Sequence, residues 1–230
     1  MPEKEICIVI PALNEEETIG RVIDEIPKEQ MEERGYRVET IVVDNDSTDR
    51  TKQIAEEKGV QVILEPRRGK GRAISAAFRS INKEFVFILD ADYTYPATYI
   101  PEMLQVLEEG YDVVLGSRLR GQIEKEAMTR FNLVGNHLLA LLASLLYGTK
   151  ISDLCTGCWG FRGAVVKDLR LNAVGFELEA DLFVQIAKKG YKIAEVPIHY
   201  RRRATPPKLN SIRDGFKIGR TLIRQRFRRE

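Results

Sequence analysis

The chain has 230 residues, of which 43% are hydrophobic and 30% are charged. This length and composition predict one α/β domain or two closely joined halves, and they exclude a small fold that depends on disulfide bonds. The three cysteines are an odd number, and the polar start at Met1 lacks a secretory signal. Both features predict a protein of the reducing cytoplasm.

Positive charge is concentrated toward the C-terminal end. Residues 201–230 contain 11 lysines and arginines and two acidic residues, a net charge of +9, so residues 1–200 carry −7 of the total of +2. Residues 206–230 form a basic amphipathic segment with apolar side chains at roughly helical spacing, at Ile212, Phe216, Leu222, Ile223 and Phe227. This pattern is typical of a helix that rests on anionic lipid. The alternatives are a solvated basic face or one that contacts RNA.

Short apolar runs alternate with helical segments over the first 115 residues. Strands are predicted at residues 6–10, 38–43, 60–64, 85–89 and 111–115. Helices are predicted from Asn14, as the N-cap, to Pro27, and over residues 48–58, 72–81 and 99–109. Strands and helices in this order predict a parallel sheet with right-handed crossovers.

The strand at residues 85–89 contains five apolar residues and stops at Asp90 and Asp92. A run this short and this apolar predicts a strand buried on both faces, and ligands bind at the carboxyl ends of such strands. Two carboxylates in a water-poor cleft repel each other unless they share a cation. The pair therefore predicts a site for Mg²⁺ or Mn²⁺ and a phosphorylated substrate. The alternative is two solvated aspartates in a surface loop.

Polar residues also follow the other predicted strands, at residues 11–15, at Asp44 and Asp46, and at residues 117–118. Because parallel strands end at the same edge of a sheet, these residues are expected to share one crevice. Three acidic strand ends predict a nucleotide site, although Asp44 and Asp46 also suit turn formation and helix capping. Lys70 lies between two glycines, where an ammonium and exposed backbone N–H groups suit a phosphate.

Residues 131–147 are largely apolar and helical in pattern. A membrane-spanning helix needs about 20 consecutive apolar residues, and Asn132, Asn136 and His137 interrupt this run. The segment is therefore predicted to be a core helix or a helix in a membrane interface.

Taken together, these motifs resemble the GT-A glycosyltransferases of family 2. The matching motifs are PALNE at residues 11–15, VVDNDSTD at 42–49, GKG at 69–71, DAD at 90–92 and GSR at 116–118. The later motifs DLCTGCWGFR at 153–162, VPI at 196–198 and KL at 208–209 are similar to the polyprenyl-phosphate branch, the dolichyl-phosphate mannose and glucose synthases.

The resemblance implies a GT-A fold, which is a Rossmann-like α/β/α sandwich around a central, mostly parallel sheet. It implies a catalytic domain over residues 1–205, with a nucleotide-sugar half at 1–120 and an acceptor half at 121–205. The basic segment at residues 206–230 would follow this domain.

The resemblance also assigns roles to individual residues. Those implied for the nucleotide sugar are Pro11, Ala12, Asn14, Glu15, Asp44, Asp46, Lys70, Asp90, Ala91 and Asp92. Those implied for the acceptor are Arg118, Thr156, Arg162, Arg202 and Lys208. The implied catalytic residues are Asp90, Asp92, Arg118 and Asp153, and Asp92 would bind Mg²⁺ or Mn²⁺. Many relatives carry Gln two residues after the metal aspartate, where this chain has Thr94.

The implied reaction is the inverting transfer of a hexose from UDP-glucose, UDP-N-acetylglucosamine or GDP-mannose to a polyprenyl (dolichyl) phosphate, for protein or envelope glycosylation. A lipid phosphate is already ionised near neutral pH and needs no general base, so arginines would position it instead. The protein would lie on the cytoplasmic face of the membrane, through its interfacial segments or a membrane-spanning partner, and would bind no nucleic acid.

Two other classes remain open. The sequence from Asp90 to Thr94 also matches the opening motif of haloacid-dehalogenase-like phosphatases, in which the first aspartate attacks phosphorus and the second is the acid/base. A non-catalytic nucleic-acid-binding protein built on the basic segment would instead show steep salt-dependent RNA affinity.

Overall fold

A computed structural model describes residues 4–205 and 211–227. Its centre is a seven-stranded sheet in the order β3-β2-β1-β4-β6-β5-β7. The strands are β1 (Lys4–Ala12), β2 (Tyr36–Asp44), β3 (Gln61–Leu64), β4 (Phe85–Ile88), β5 (Val113–Ile123), β6 (Trp159–Arg162) and β7 (Ile193–Tyr200). Only β6 runs antiparallel to its neighbours β4 and β5. The GT-A expectation of a mostly parallel central sheet is confirmed.

Nine α-helices are described around this sheet. They are α1 (Ile19–Asp24), α2 (Lys28–Glu33), α3 (Thr51–Glu57), α4 (Lys70–Ser80), α5 (Ile100–Glu108), α6 (Arg130–Tyr147), α7 (Gly163–Asp168), α8 (Leu178–Lys188) and α9 (Ser211–Phe227). Helices α1, α2, α3 and α5 cover one face, and α4 and α6 to α9 cover the other. This is the three-layer α/β/α arrangement.

The central strands are apolar throughout because both of their faces are buried. In β1, Cys7 and Val9 belong to one hydrophobic core, while Ile6, Ile8 and Ile10 belong to the other. The alternation follows from the two-residue period of a strand. The same alternation holds for β4 and continues to buried Leu89, the residue before Asp90.

Two details of the predicted elements are wrong. Helix α1 begins at Ile19 rather than beside Asn14, whose Oδ1 accepts hydrogen bonds from Thr48. Strand β5 continues to Ile123, so Arg118 lies within the strand and not at its end. The reason is β7, which pairs with β5 from Val113 onward and prolongs it.

Helices α6 and α9 pack side by side, with Leu139 against Gly219 and the hydroxyl of Tyr147 donating to the Leu222 carbonyl. Ile218 and Leu222 are buried in this contact. Other large apolar side chains of the pair are 48–77% exposed, namely Phe131, Val134, Leu138, Leu141, Leu145, Ile212, Phe216, Ile223 and Phe227. We call these nine residues the apolar face. Among the described helices, none is long and apolar enough to cross a membrane.

Candidate active site

A cleft opens at the edge of the sheet where β1, β2 and β4 end. The lining residues are Pro11, Ala12, Leu13, Glu15, Asn45, Gly69, Lys70, Ala73, Asp90, Ala91, Asp92, Phe176 and Arg203. Parallel strands bring residues 11–15 and 90–92 together here, although they are about 80 positions apart in the sequence. The structure thus gathers most of the residues that the resemblance implies for a nucleotide sugar.

Lys70 lies between two carboxylates at the base of the cleft. Its Nζ is 2.6 Å from Asp90 Oδ1 and 2.7 Å from Glu179 Oε1. Burial disfavours the ammonium, but the two carboxylates outweigh burial and raise the pKa of Lys70. Burial raises the pKa of Asp90 from 3.8 to about 6; Lys70 opposes this rise and Asp92 adds to it. Lys70 therefore stays charged, and keeping the Asp90 carboxylate ionised costs free energy.

The two oxygens of Asp92 have different partners. Oδ1 accepts hydrogen bonds from the backbone N–H of Thr94 at 3.1 Å and from its hydroxyl at 2.6 Å. Oδ2 is 3.3 Å from Nη1 of Arg203, whose Nη2 is 2.9 Å from Glu15 Oε1. Thr94 therefore orients Asp92 instead of facing the cleft, and Oδ2 is the oxygen presented to a ligand.

Asp44 ends β2 beside Ala12 and is buried. Its Oδ2 is 3.4 Å from the N–H of Ser47, and its Oδ1 is the buried side-chain polar atom without a hydrogen-bond partner among the residues described. An unsatisfied buried acceptor costs about 1–3 kcal/mol. Asp44 is therefore suited to accept a hydrogen bond from a ligand N–H or hydroxyl.

The expectation that the loop around Lys70 exposes backbone N–H groups is wrong. Gly69 N–H donates to Asn45 Oδ1 at 2.6 Å, and Gly71 N–H donates to the Val174 carbonyl at 3.0 Å. A Cβ on Gly69 would lie 2.2 Å from that carbonyl oxygen, so only glycine permits the approach. The loop positions the Lys70 ammonium, but these two amides are already used.

Gly157 is packed directly against the carboxylate of Asp90. A Cβ at position 157 would lie 2.0 Å from Asp90 Oδ2, and the Gly157 N–H donates to the hydroxyl of Tyr95 at 2.8 Å. The segment that leads into β6 therefore packs against Asp90, and any larger residue at position 157 would displace the Asp90 carboxylate.

Arg118 and Asp153 form a sealed ion pair near the cleft. Arg118 Nε and Nη2 each lie 2.7 Å from an oxygen of Asp153, and the side chains are 8% and 0% exposed. Thr156 is also buried, and its hydroxyl donates to the Gly116 carbonyl. A contact between Arg118 and an acceptor phosphate stays a prediction, and it would require the guanidinium to leave Asp153.

Two further predicted residues, Arg162 and Asp46, lie outside the lining of this cleft. Arg162 is paired with Phe85 in the sheet and donates to the Tyr111 carbonyl, so it lies at the edge opposite Asp90. The prediction that Arg162 binds the acceptor is wrong, because β6 is antiparallel and leads away from the cleft. Asp46 is exposed and pairs with Arg68 at 2.9 Å. Lys208 lies outside the described residues.

A second, more polar cleft adjoins the first at Asp92. The residues around it are Arg21, Asp92, Tyr93, Glu124, Arg201, Arg202 and Ala204. The guanidinium groups of Arg21 and Arg201 lie 3.9 and 4.3 Å from the ring centroid of Tyr93. Arg202 is exposed and pairs with Glu126 at 3.0 Å. Among the predicted acceptor residues that the structure describes, Arg202 thus lines this second cleft.

Sequence reasoning did not identify Glu179 and Arg203. Glu179 lies in α8, 109 positions from Lys70, and Arg203 lies 188 positions from Glu15. Neither residue stands in a recognisable motif. The one available signal was the run of arginines at 201–203, which pointed to a basic surface and not to a contact with Asp92.

The charge around the cleft is unbalanced. The carboxylates in or beside it are Glu15, Asp44, Asp90, Asp92 and Glu179. Five carboxylates thus face two cations, Lys70 and Arg203, within the described part of the chain. A diphosphate would add further negative charge, so its binding here favours an additional cation.

A divalent metal fits this set of oxygen donors. Residues 4–205 and 211–227 contain no group of three or more His, Cys, Asp or Glu side chains that could hold a metal ion by themselves. Mg²⁺ is usually held by one or two carboxylates together with substrate phosphates and water. Asp92 Oδ2 would supply the protein ligand, and the remaining ligands would come with the substrate.

The family model described as glycosyl transferase family 2 matches residues 7–170, most of the chain. The chain belongs to glycosyltransferase family 2. A dolichyl-phosphate hexose transferase of Haloferax volcanii is 36% identical over 220 residues, which cover 96% of this chain and 93% of that protein. A dolichol-phosphate mannosyltransferase of Pyrococcus furiosus is 27% identical over 206 residues, 86% of this chain and 57% of that protein.

Among solved structures, a glucosyl-3-phosphoglycerate synthase of Mycobacterium tuberculosis superposes with a TM-score of 0.79. It is 25% identical, and the match covers 99% of this family 2 chain and 81% of that one. That structure is a complex with Mn²⁺, UDP and glucosyl-3-phosphoglycerate. The resemblance to GT-A glycosyltransferases of family 2 is confirmed, and the protein is a transferase of that family.

Proposed function

We propose that this family 2 glycosyltransferase moves a hexose from a nucleotide-diphosphate sugar to a polyprenyl phosphate such as dolichyl phosphate, with inversion at the anomeric carbon. The observation that carries the proposal is the cleft itself: an unsatisfied buried acceptor at Asp44, a partly buried ammonium at Lys70 and an excess of carboxylates around Asp92. The near-full-length similarity to a dolichyl-phosphate hexose transferase supports the acceptor class.

The donor would lie along the ends of β1, β2 and β4. Asp44 Oδ1 would accept an N–H of uracil or guanine, and Pro11 and Ala12 would pack beside the nucleoside. Lys70 would lie near the diphosphate, where its positive charge would stabilise the negative charge that develops on the leaving group. Asn14, Asp46 and Ala91 complete the proposed donor set; Asn14 and Asp46 would act from the rim.

Asp92 would hold Mg²⁺ or Mn²⁺. The metal would neutralise the nucleotide diphosphate as a leaving group. Thr94 fixes one oxygen of Asp92, and Asp90 holds Lys70 in place, so the chain supplies an oriented carboxylate and an oriented ammonium before the donor binds.

The acceptor would approach through the second cleft, past Arg202. A phosphate monoester of a lipid is an anion near neutral pH, so arginine positioning replaces a general base. Arg202 is exposed there and its partner Glu126 is exposed as well, so this pair can be exchanged for a phosphate at little cost. Lys208, Thr156 and the Arg118–Asp153 pair remain proposed contributors to the acceptor and sugar pockets.

The apolar face would bring the enzyme to its lipid substrate. Its nine exposed apolar residues recur at helical spacing along the paired helices α6 and α9, and α9 also carries Arg213, Lys217, Arg220, Arg224 and Arg226. Exposed apolar groups flanked by arginines suit the interface of an anionic membrane. A location on the cytoplasmic face of a membrane, with or without a membrane-spanning partner, is part of this proposal.

Vesicle cosedimentation tests the membrane part. A double variant, Phe131→Ser with Phe216→Ser, should lose most binding to vesicles that contain anionic lipid. The matched control is Leu64→Ser, which changes an exposed apolar residue at the edge strand β3, away from this face. Unchanged binding by the double variant would contradict the membrane role of the apolar face.

The donor and acceptor parts are tested with purified protein, Mn²⁺ or Mg²⁺, a short-chain polyprenyl phosphate and each of UDP-glucose, UDP-N-acetylglucosamine and GDP-mannose. One donor should give a β-linked lipid product, and Asp92→Asn should lower the rate about 10³-fold. A product of retained configuration, or a full rate with Asp92→Asn, would overturn the proposal. Hydrolysis of p-nitrophenyl phosphate would instead support the phosphatase, and salt-dependent RNA binding unaffected by Asp92→Ala would support a nucleic-acid-binding protein.

A further inference from the structure

We infer that Arg203 is a built-in competitor for the cation at Asp92, so that metal binding requires the guanidinium to leave. This inference rests on the proposed metal role of Asp92. Arg203 stood in no motif of the sequence, and its place beside Asp92 follows from the fold of the segment after β7.

The contact uses the oxygen that a metal would need. Asp92 Oδ1 already accepts two hydrogen bonds from Thr94, whereas Oδ2 faces Nη1 of Arg203 at 3.3 Å. The other terminal nitrogen of Arg203 lies 2.9 Å from Glu15. A guanidinium that bridges these two carboxylates therefore supplies positive charge at the point where the proposed metal would supply it.

Hydrogen bonds fix the backbone just before Arg203. Replacement of its guanidinium by a metal at Asp92 would therefore require only the side chain to move. The N–H of Arg201 donates to the Thr94 carbonyl at 2.9 Å, and the N–H of Arg202 donates to Glu124 at 2.7 Å. The Arg201 guanidinium is held by both oxygens of Glu25. The Arg203 side chain is 22% exposed and has several rotatable bonds, so it can turn toward the diphosphate or the solvent while the segment stays in place.

The cost of this exchange lowers the apparent affinity for metal. Metal can bind only while Arg203 leaves Asp92 Oδ2 free. The apparent dissociation constant for the metal therefore equals the intrinsic one divided by the fraction of time that this oxygen is free. A diphosphate would offset the cost, because it offers the displaced guanidinium a new anionic partner. Metal and nucleotide should therefore bind with positive cooperativity that depends on Arg203.

The test measures Mn²⁺ binding to the full chain by electron paramagnetic resonance of free Mn²⁺, with and without UDP. Without UDP, Arg203→Ala and Arg203→Gln should each bind Mn²⁺ about tenfold more tightly than the unchanged protein, and UDP should improve their affinity less. The control is Arg68→Ala, which removes one positive charge from the loop before Lys70 where Arg68 contacts Asp46, and it should change Mn²⁺ affinity by about twofold or less. Two replacements are used so that the result does not depend on one variant that fails to fold. Thermal unfolding would reveal such a folding defect.

The outcomes separate this inference from the proposed function. Asp92→Asn should abolish the Mn²⁺ binding. If it does, but the Arg203 variants bind Mn²⁺ equally or more weakly, Arg203 does not compete and only this inference is overturned. If Asp92→Asn leaves Mn²⁺ affinity unchanged, or the unchanged protein binds no Mn²⁺ even with UDP, both the metal role of Asp92 and the competition are wrong.

Discussion

Two clusters in this protein pair a cation with carboxylates, one partly buried and one fully buried, and they differ in their net charge. Lys70 lies between Asp90 and Glu179 at the base of an open cleft, where the carboxylates outnumber the cations. Arg118 is joined to Asp153 through two hydrogen bonds from its guanidinium and one from its backbone N–H, and the pair is closed off from solvent. The first cluster is incomplete without a ligand, whereas the second is complete in itself.

This difference separates two uses of buried charge. Removing one partner of a sealed ion pair leaves an uncompensated charge in the interior and costs stability. Carboxylates held close together around a cleft disfavour the folded chain, and a bound cation relieves that repulsion. The Arg118–Asp153 pair is thus expected to control folding, and the Lys70 cluster is expected to control ligand binding.

The largest expected effect comes from breaking the sealed pair. Asp153→Asn should lower the free energy of unfolding by about 3–5 kcal/mol, because Arg118 stays buried without a countercharge. Urea unfolding measures this loss. The matched control is the double variant Arg118→Met with Asp153→Leu, which removes both charges and should recover most of the stability. Normal stability of Asp153→Asn together with lost transferase activity would show that the pair acts in catalysis instead.

A smaller effect is expected from crowding the open cluster. In Gly157→Ala the new Cβ would lie 2.0 Å from Asp90 Oδ2, so the carboxylate must shift and Lys70 with it. A displacement of about 1 Å in a catalytic group can cost up to about 10²-fold in rate, and we expect a 10- to 100-fold loss of transferase activity. The control is Gly135→Ala in α6, where a Cβ meets no atom within 4 Å. An unchanged rate in Gly157→Ala would mean that the position of Asp90 is not critical.

The smallest effect is a pH dependence of stability. The pKa of Asp90 is raised from 3.8 to about 6 in the folded chain, chiefly by burial. Between these values the folded chain binds more protons than the unfolded chain, so the contribution of Asp90 to stability falls as the pH rises. Urea unfolding in EDTA should show the stability of the unchanged protein falling by about 2 kcal/mol relative to Asp90→Asn between pH 4 and pH 7. A difference that rises with pH would show that Lys70 lowers the pKa of Asp90 overall.

The sequence was sufficient for the parts of the fold whose signal is local. Strands β1 and β4 were predictable because burial on both faces requires a continuous apolar run, and Asp92 was predictable because it ends such a run. The direction of β6 was not predictable, because four residues carry no sign of antiparallel pairing. That gap produced the misplacement of Arg162.

Contacts between distant parts of the chain explain the rest. Glu179 and Arg203 reach Lys70 and Asp92 only after α8 and β7 have packed against the sheet, and no local pattern marks either residue. Arg118 was expected at a strand end, because the pairing of β5 with β7 beyond residue 115 is also a long-range feature. Most residues of the strand ends that line the cleft were thus visible in the sequence, whereas Glu179 and Arg203, which pair with them, were not.

The position of β6 affects how the protein is made. Strand β5 leaves the ribosome before β6, yet β6 lies between β4 and β5 in the finished sheet. One side of β4 therefore has no native partner until residues 159–162 have been synthesised. An unpaired apolar strand edge is prone to pair with other chains. Nascent chains that stall after β4 and before β6 are consequently exposed to aggregation through this edge.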